Sequence, residues 1–303
     1  MQKRALKNLS ALSLALILGF GGYALLNPLL LRDLKHSAEL WLGGVRPIWS
    51  SAGLSGYKVG SCNPATMQCQ CFALIHGLGD QALGWRKFLL DTQKTDWGQK
   101  QKWVALNMPL NPKNPSVRAI ARQVEEALKP LCTKWTVVGN SFGGWIGAWT
   151  AIQYDDVHRL VLIGSAGLKQ TRTDTGASYF SSPTVASLKD FLNKAYAHPR
   201  NDLSDQTLAI VVEKMKSTGL KSLMESQTSD DDLDHAIRNL KKPVTLIWGE
   251  KDQIISPKTG KLFQKLIPRS KYIEISDCGH LPQKECPHDL TLILEQQSSS
   301  PLH

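Results

Sequence analysis

The feature that most constrains the fold of this chain is a series of short apolar runs, each ended by a glycine, a proline or a polar turn. Runs of this length and composition are typical of buried strands. Stretches with apolar residues at helical spacing lie between most of them, for example from Ser116 to Leu128. Strands that alternate with helices indicate a parallel sheet covered on both faces. The predicted strands are Cys71–Ile75, Trp103–Asn107, Trp135–Val138, Leu160–Ile163, Val244–Trp248 and Tyr272–Ile275.

The alternation is interrupted once, between the fourth and fifth predicted strands. Residues 168–242 carry apolar residues at helical spacing and contain no predicted strand. They are therefore interpreted as a helical cap inserted into the sheet domain, which comprises residues 50–167 and 243–297. The predicted fold class is α/β, with a mostly parallel sheet, helices on both of its faces and this inserted helical cap.

The N-terminus is predicted to be an export signal or a membrane anchor. Lys3, Arg4 and Lys7 precede an uncharged, largely apolar run over residues 8–31, which is the pattern of a segment handled by the export machinery. The run is long enough to cross about 30 Å of hydrocarbon as a helix, and its candidate cleavage sites are imperfect, so both a retained anchor and a cleaved signal stay open. The positive charges before the run place the rest of the chain outside the cytoplasm. Residues 1–34 are assigned to this segment.

Composition narrows the classes of partner. Lys and Arg number 36 against 26 Asp and Glu, a net charge of +10. A mildly basic chain of this kind suits an anionic membrane surface or an ordinary solvated face. It has neither a dense basic stripe nor the spacing of metal ligands, so no nucleic-acid partner and no metal site are expected. With 42% hydrophobic and 20% charged residues, the chain can build a sizeable core and is not of the disordered class.

The cysteines favour disulfides. An even number of cysteines in an exported chain is the usual sign of disulfide bonds. We expect local pairs between Cys62 and Cys69 and between Cys278 and Cys286, with reduced, buried thiols as the alternative. The six positions are Cys62, Cys69, Cys71, Cys132, Cys278 and Cys286.

A G-x-S-x-G motif spans Gly139 to Gly143, directly after one predicted strand and directly before a helical run. This strand-turn-helix context is the one that a nucleophile elbow requires, because the tight turn leaves no room for side chains at the flanking glycines. Ser141 is therefore the candidate nucleophile. The alternative is an ordinary turn serine.

Asp252 and His280 each follow one of the last two predicted strands. The carboxyl ends of parallel strands lie on one rim of the sheet, so both residues could meet Ser141 there, in the chain order Ser, Asp, His. His280 would remove the proton of Ser141 during attack, and Asp252 would orient and stabilise the imidazole ring. Asp277 is the competing carboxylate, although it could instead cap its loop.

The tetrahedral intermediate of such a reaction also needs hydrogen-bond donors. The candidates are the backbone N–H groups of Phe142, at a helix N-terminus, and of Leu78, in the His76–Gly79 loop after another strand. His76 itself is expected to orient this loop rather than to act in catalysis.

The segments HGLG, GNSFGG, WGEKD and CGHLPQKECP, in this order and spacing, resemble the α/β-hydrolase superfamily from about Tyr57 to Leu294. Asn140 and residues 163–168 are similar to monoacylglycerol-lipase-like esterases and to meta-cleavage-product hydrolases. The latter commonly carry Trp where this chain has Leu281, which disfavours a C–C bond hydrolase. A serine rather than an aspartate at the elbow argues against epoxide hydrolases and haloalkane dehalogenases.

The resemblance implies a serine hydrolase that cleaves carboxylic esters through an acyl-enzyme and needs no cofactor. The alternatives are a C–C bond hydrolase or amidase with the same triad, and a non-catalytic binding protein with this fold. It also implies that the cap lies over the rim and lines the substrate pocket, which favours an ester with an apolar acyl chain. The expected lining residues are Phe180, Leu188, Phe191, Leu192, Val212 and Met215.

Overall fold

The computed structural model describes residues 28–60, 70–108, 116–174, 177–200 and 202–298. The strands are β1 (Arg46–Trp49), β2 (Ser55–Val59), β3 (Cys71–Ile75), β4 (Lys102–Leu106), β5 (Trp135–Asn140), β6 (Val157–Ile163), β7 (Val244–Gly249) and β8 (Lys271–Ile275). The α-helices are α1 (Pro28–Leu42), α2 (Arg86–Thr92), α3 (Asp96–Gln99), α4 (Val117–Leu128), α5 (Phe142–Gln153), α6 (Lys169–Asp174), α7 (Ala177–Ser181), α8 (Val185–Ala195), α9 (Asp205–Ser217), α10 (Leu220–Glu225), α11 (Leu233–Ala236), α12 (Pro257–Leu266), α13 (Pro282–Glu285) and α14 (Pro287–Ser298). Short 3₁₀ helices cover Ala82–Trp85, Ser229–Asp231 and Ile237–Asn239.

The strands form one sheet in the order β1-β2-β4-β3-β5-β6-β7-β8. The pairs β1–β2 and β2–β4 are antiparallel, and every pair from β4 to β8 is parallel. All six predicted strands are present, and the predicted α/β class with a mostly parallel sheet is confirmed. The sequence patterns did not predict β1 and β2, because these antiparallel strands keep some residues exposed and lack a continuous apolar run.

Helices cover both faces of the sheet, and β3 shows why the predicted strands are continuously apolar. Successive side chains of a strand point to opposite faces. Phe72 and Leu74 pack in a cluster with residues of α2 and α14, whereas Ala73 and Ile75 pack in a second cluster with residues of α4, α5 and α12. All four side chains are fully buried, so every position of the strand must be apolar.

The chain divides into two compact units, residues 1–39 and 40–303. Most of the predicted apolar segment, residues 8–27, lies outside the described residues, and residues 28–31 begin helix α1. None of the helices in the described part of the chain is both long enough and apolar enough to cross a membrane.

The inserted segment, residues 168–242, holds helices α6 to α11 and, within its described residues, no strand. It has its own apolar cluster, which includes Leu188, Leu208 and Val212. The indole N–H groups of Trp145 and Trp149 on α5 both donate to the carbonyl oxygen of Asp231 at 2.7 Å. These bonds attach the C-terminal part of the segment to the helix that follows the candidate nucleophile.

Two disulfides lie within the described part of the chain. Cys278 bonds to Cys286, as the sequence analysis predicted, and Cys71 bonds to Cys132, which it did not. The second pair is 61 residues apart, and its sulfur atoms meet because β3 and β5 are neighbours in the sheet, with Cys71 opposite Trp135. The predicted Cys62–Cys69 pair lies outside the described residues.

Candidate active site

Ser141 lies at the turn between β5 and α5, at the rim of the parallel sheet. Its backbone has φ 57° and ψ −121°, a conformation that is strained for a residue with a side chain. The turn is held by hydrogen bonds from Ser141 N–H to the Ile163 carbonyl and from Ala166 N–H to the Ser141 carbonyl, at 2.9 and 3.1 Å. The strained serine is partly exposed, which suits a nucleophile. Its catalytic role stays a prediction.

The glycines of the motif are required by close backbone packing. A Cβ atom at Gly139 would lie 2.3 Å from the carbonyl oxygen of Gly143, and one at Gly143 would lie 2.3 Å from the carbonyl oxygen of Ile75. Both distances are far inside van der Waals contact, and both involve backbone atoms that cannot move aside. Any larger residue at either position would therefore open the turn that presents Ser141.

His280 and Asp252 form a buried pair at the same rim. His280 Nδ1 lies 2.8 Å from Asp252 Oδ2, and the side chains are 2% and 0% exposed. The other carboxylate oxygen, Oδ1, accepts the N–H groups of Ile254 and Ile255, both at 2.9 Å. Because the carboxylate accepts at Nδ1, the proton of the neutral imidazole stays there and Nε2 is left as the basic nitrogen. This is the tautomer that a general base needs.

The competing carboxylate, Asp277, has a different environment. It is 62% exposed and pairs with Lys251 and with His198, the latter at 3.1 Å. Hydrogen bonds from Lys251 and His198 hold its pKa below the usual range. The structure brings Asp252, not Asp277, to the ring of His280.

The His76–Gly79 loop lies against the elbow. A Cβ atom at Gly77 would be 3.2 Å from the Cβ atom of Ser141, so the loop backbone passes beside the candidate nucleophile. Phe142, the second predicted oxyanion donor, is the first residue of α5, where the N–H groups of a helix point outward. Of the two predicted donors, Phe142 directly follows Ser141, and Leu78 directly follows Gly77 in the neighbouring loop. Their role stays a prediction.

His76 connects this loop to the loop after β4. Its Nδ1–H group donates to the Gly77 carbonyl at 2.9 Å, and its Nε2 accepts from the N–H group of Met108 at 3.1 Å. Burial lowers the pKa of His76, against an opposing effect of Asp80. A neutral ring is what both hydrogen bonds require, so His76 holds the loop in place.

An ion pair joins the same loop to the segment after His280. Lys284 Nζ on α13 lies 2.8 Å from Asp80 Oδ2, and both side chains are mostly buried. Burial acts to raise the pKa of Asp80, but the charge and the hydrogen bond of Lys284 act against it, and that pKa is held low. For Lys284, burial acts to lower the pKa and Asp80 outweighs it, so that pKa is raised. Both groups therefore stay charged and paired.

The inserted segment contacts the loop of His280 at the end of α8. The N–H group of His280 donates to the carbonyl of Ala195 at 2.7 Å, and Glu285 accepts from the N–H group of Ala197 at 2.7 Å. Burial raises the pKa of Glu285, partly offset by the backbone N–H groups that it accepts, with Ala197 the largest of these. The disulfide between Cys278 and Cys286 encloses this loop.

Apolar side chains of the inserted segment face the candidate oxyanion loop. Leu78 packs against both the main core and the apolar cluster of the inserted segment. A Cβ atom at Gly79 would lie 2.8 Å from the ring of Phe180, which itself packs edge-on against Phe191. The six residues predicted to line the pocket all belong to this cluster or pack against it.

Among the described residues, no group of three His, Cys, Asp or Glu side chains is placed to hold a metal ion. Some residues around the site were not predicted from the sequence, namely Asp80, Gln283, Lys284 and the Ala195–Ala197 backbone. Gln283 and Lys284 follow His280 closely enough for their position to have suggested a role. Nothing in the sequence indicated that the end of α8 would reach this loop.

Comparison with known proteins agrees with the fold. The chain is 31% identical over 168 residues to Lipase 1 of Psychrobacter immobilis, covering 52% of this chain and 53% of that protein. It is 23% identical over 252 residues to a 2-hydroxy-6-oxononadienedioate/2-hydroxy-6-oxononatrienedioate hydrolase of Paraburkholderia phymatum, covering 71% and 82% of the two chains. The alignment with the lipase thus spans about half of that protein's length.

A solved structure of a membrane phospholipase A superimposes with a TM-score of 0.71 at 19% identity, covering 96% of this chain and 97% of the other. At this identity the likeness concerns the fold. The family model of the alpha/beta hydrolase fold matches residues 72–287, a range that begins in β3 and ends just after the loop of His280. The chain therefore belongs to the alpha/beta hydrolase fold family.

Proposed function

We propose that this protein is a serine hydrolase of carboxylic esters. The observation that carries the proposal is the buried His280–Asp252 pair at the rim where the strained turn presents Ser141. A fully buried, hydrogen-bonded carboxylate on an imidazole that keeps its other nitrogen basic is the arrangement a triad requires. Lipase 1 of Psychrobacter immobilis, a similar protein, favours esters as the substrate class.

In the proposed reaction, Ser141 Oγ attacks the ester carbonyl while His280 Nε2 takes its proton. The imidazolium that forms is stabilised by Asp252, whose carboxylate is held in place by two backbone N–H groups. The oxyanion accepts hydrogen bonds from the N–H groups of Leu78 and Phe142. His280 then returns the proton to the leaving alkoxide, which departs as the alcohol. Water attacks the acyl-enzyme by the same route and releases the acid and free Ser141.

The acyl group of the substrate is proposed to be apolar. Leu78, the proposed oxyanion donor, contacts the apolar cluster of the inserted segment, so a chain attached to the reacting carbonyl would extend along aliphatic and aromatic side chains. Each methylene buried there is worth about 0.8 kcal/mol. The inserted segment is accordingly proposed to be a cap that lines the pocket.

Hydrolysis of a C–C bond is the second candidate, since the Paraburkholderia phymatum hydrolase aligns over more of this chain than the lipase does. Leu281, which is 8% exposed, occupies the position directly after His280. An apolar aliphatic residue there supplies no indole N–H for a polar substrate group. Ester hydrolysis therefore stays the first proposal.

We further propose that the protein is exported and works at a membrane surface, held by residues 8–31 unless these are cleaved. The described residues hold two disulfide bonds, and such bonds persist mainly in oxidising compartments. Trp41, Leu42 and Trp49 are 59%, 78% and 77% exposed, and the guanidinium of Arg46 lies 4.9 Å from the ring centre of Trp41. Exposed tryptophans beside a basic group are typical of chains in contact with lipid headgroups.

Labelling with a fluorophosphonate probe tests the hydrolase directly. The probe should bond covalently to Ser141, and p-nitrophenyl esters should be hydrolysed. Ser141→Ala should abolish both while leaving the melting temperature within a few degrees, because the hydroxyl is needed only for attack.

A folded wild-type protein that neither reacts with the probe nor hydrolyses esters would contradict the proposal and favour a binding protein. Turnover of a dienoic C–C substrate in excess of every ester would favour the second candidate.

A further inference from the structure

Asn140, the residue directly before Ser141, makes a hydrogen-bond network that reaches the candidate base. Its side chain is fully buried. Nδ2 donates to the carbonyl oxygens of Ile163 and His280, at 3.1 and 3.0 Å. A single amide thus joins the strand that carries the nucleophile to the backbone of the histidine that would take its proton.

Gln283 fixes the orientation of that amide. It lies on α13, three residues after His280, and its side chain is fully buried. Its Nε2 donates to Asn140 Oδ1 at 3.0 Å. The carbonyls of Ile163 and His280 each need a donor, and Gln283 itself donates to Asn140. Only one of the two amide orientations of Asn140 satisfies all three contacts.

The two polar atoms of the Gln283 side chain differ in their contacts. Among the residues that the structure describes, Oε1 of Gln283 has no hydrogen-bond partner. An apolar side chain at this position would leave the buried Oδ1 atom of Asn140 without its donor. The donor at Nε2 is the part of Gln283 that the site uses.

His280 has two further contacts besides the hydrogen bond from Asn140. Asp252 holds Nδ1 of the ring, and the carbonyl of Ala195 accepts the backbone N–H group. Neither partner lies on β5, the strand that leads into Ser141. The hydrogen bond from Asn140 to the His280 carbonyl ties His280 to the residue directly before Ser141.

We propose that Asn140 and Gln283 are positioning residues that fix His280 relative to Ser141. The proposal rests on the serine-hydrolase function proposed above. Neither side chain touches substrate in this role. Their loss should therefore slow proton transfer from Ser141, which depends steeply on geometry, and should leave substrate binding largely unchanged.

The test compares Gln283→Met with Gln297→Met. Gln297 lies on α14 and is also buried, so the same substitution there is a matched control for the loss of a buried amide. In the full chain, Gln283→Met should lower kcat for a soluble p-nitrophenyl ester and the rate of fluorophosphonate labelling by about tenfold or more. KM should stay within about twofold of wild type. Gln297→Met should leave these values near those of wild type.

Gln283→Glu keeps the shape and supplies a second readout if Gln283→Met folds poorly. A protonated carboxylic acid can donate to Asn140 Oδ1, whereas the ionised form cannot, and burial raises the pKa of such a group. The rate of this variant should therefore fall as the pH rises through that pKa, over a range where wild type keeps its plateau. A melting temperature that is unchanged over the same pH range would show that this loss reflects positioning and not unfolding.

Wild-type-like kcat and labelling in Gln283→Met, or in Gln283→Glu across the pH range, would overturn the positioning role. If wild type itself neither reacts with the probe nor hydrolyses esters, the proposed hydrolase function fails instead. The two failures are thus distinguished within one set of measurements.

Discussion

At the scale of single residues, two aspartates near the end of the chain have opposite environments. Asp252 is fully buried, accepts two backbone N–H groups and contacts the ring of His280. Asp277 is exposed and pairs with Lys251 and His198. In the low-dielectric interior an ionic hydrogen bond to the imidazole is strong, while exposed pairs are weakened by water and salt. Only Asp252 can hold the tautomer of His280.

Exchanging each carboxylate for an amide should show which of the two aspartates supports catalysis. Asp252→Asn is expected to lower kcat by about 10³-fold or more, because the amide can turn its N–H₂ toward Nδ1 and favour the wrong tautomer. Asn tolerates the φ of 56° that Asp277 adopts. Asp277→Asn should therefore keep kcat within about twofold of wild type. Steady-state kinetics on one ester checks both. Greater damage from Asp277→Asn would mean that the assignment of the acid is wrong.

At the scale of elements, the helices of the inserted segment are proposed to line the substrate pocket. Phe191 on α8 is partly buried and packs edge-on against Phe180. Leu208 on α9 is only 2% exposed and lies within the same apolar cluster. A residue with so little exposed surface can stabilise the segment but presents almost nothing to a substrate.

The preference for acyl length should depend on the lining residues of these helices. In wild type, kcat/KM should rise from acetate to esters of roughly six to ten carbons, by up to about fourfold for each buried methylene, and then fall. Phe191→Ala should move this maximum. Leu208→Ala should lower the free energy of unfolding by about 2–5 kcal/mol and leave the maximum unchanged.

A panel of p-nitrophenyl esters, measured beside thermal melts, separates the effects on chain-length preference and stability. If Phe191→Ala lowers the melting temperature without moving the maximum, these side chains only pack the segment. A wild-type profile that favours acetate would contradict an apolar acyl group.

At the scale of the whole molecule, the proposed position at a membrane depends on the N-terminal segment. The full chain should sediment with membranes and withstand a high-salt wash, because a 24-residue uncharged run binds through the hydrophobic effect rather than through charge. A shortened chain that begins at Lys35 should be soluble and keep its esterase activity, since Ser141, Asp252 and His280 lie far beyond the run. Fractionation followed by immunoblotting and an ester assay measures both.

Mass spectrometry of the mature N-terminus distinguishes an anchor from a cleaved signal. An N-terminus near Leu25 would indicate cleavage and release. Full-length protein that stays in the soluble fraction would contradict both the anchor and the proposed surface association.

Much of the fold could be read from the sequence because a central parallel strand must be apolar on both faces. Cys71–Ile75 and the other central strands that were predicted satisfy this requirement, and each appears in the sheet. The last predicted strand, Tyr272–Ile275, lies in the edge strand β8 and keeps Glu274 exposed. The two antiparallel strands, β1 and β2, bury only some of their side chains, so their composition resembles that of a loop. The predicted helical stretch from Ser116 to Leu128 corresponds to α4, and its periodic apolar residues are a local signal. In the structure Ser116 caps this helix by accepting from the N–H group of Ala119.

The candidate site likewise has residues that the sequence indicated and partners that only the folded chain shows. Ser141, Asp252 and His280 could be named from the sequence because each follows a strand whose end must lie on one rim of the sheet. Their partners depend on contacts between segments far apart in the chain. The disulfide from Cys71 to Cys132, the bond from His280 to Ala195 and the bond from Gln283 to Asn140 all join residues more than 60 positions apart. No local pattern encodes such a pairing, because the partner of each group is selected by the packing of the folded chain.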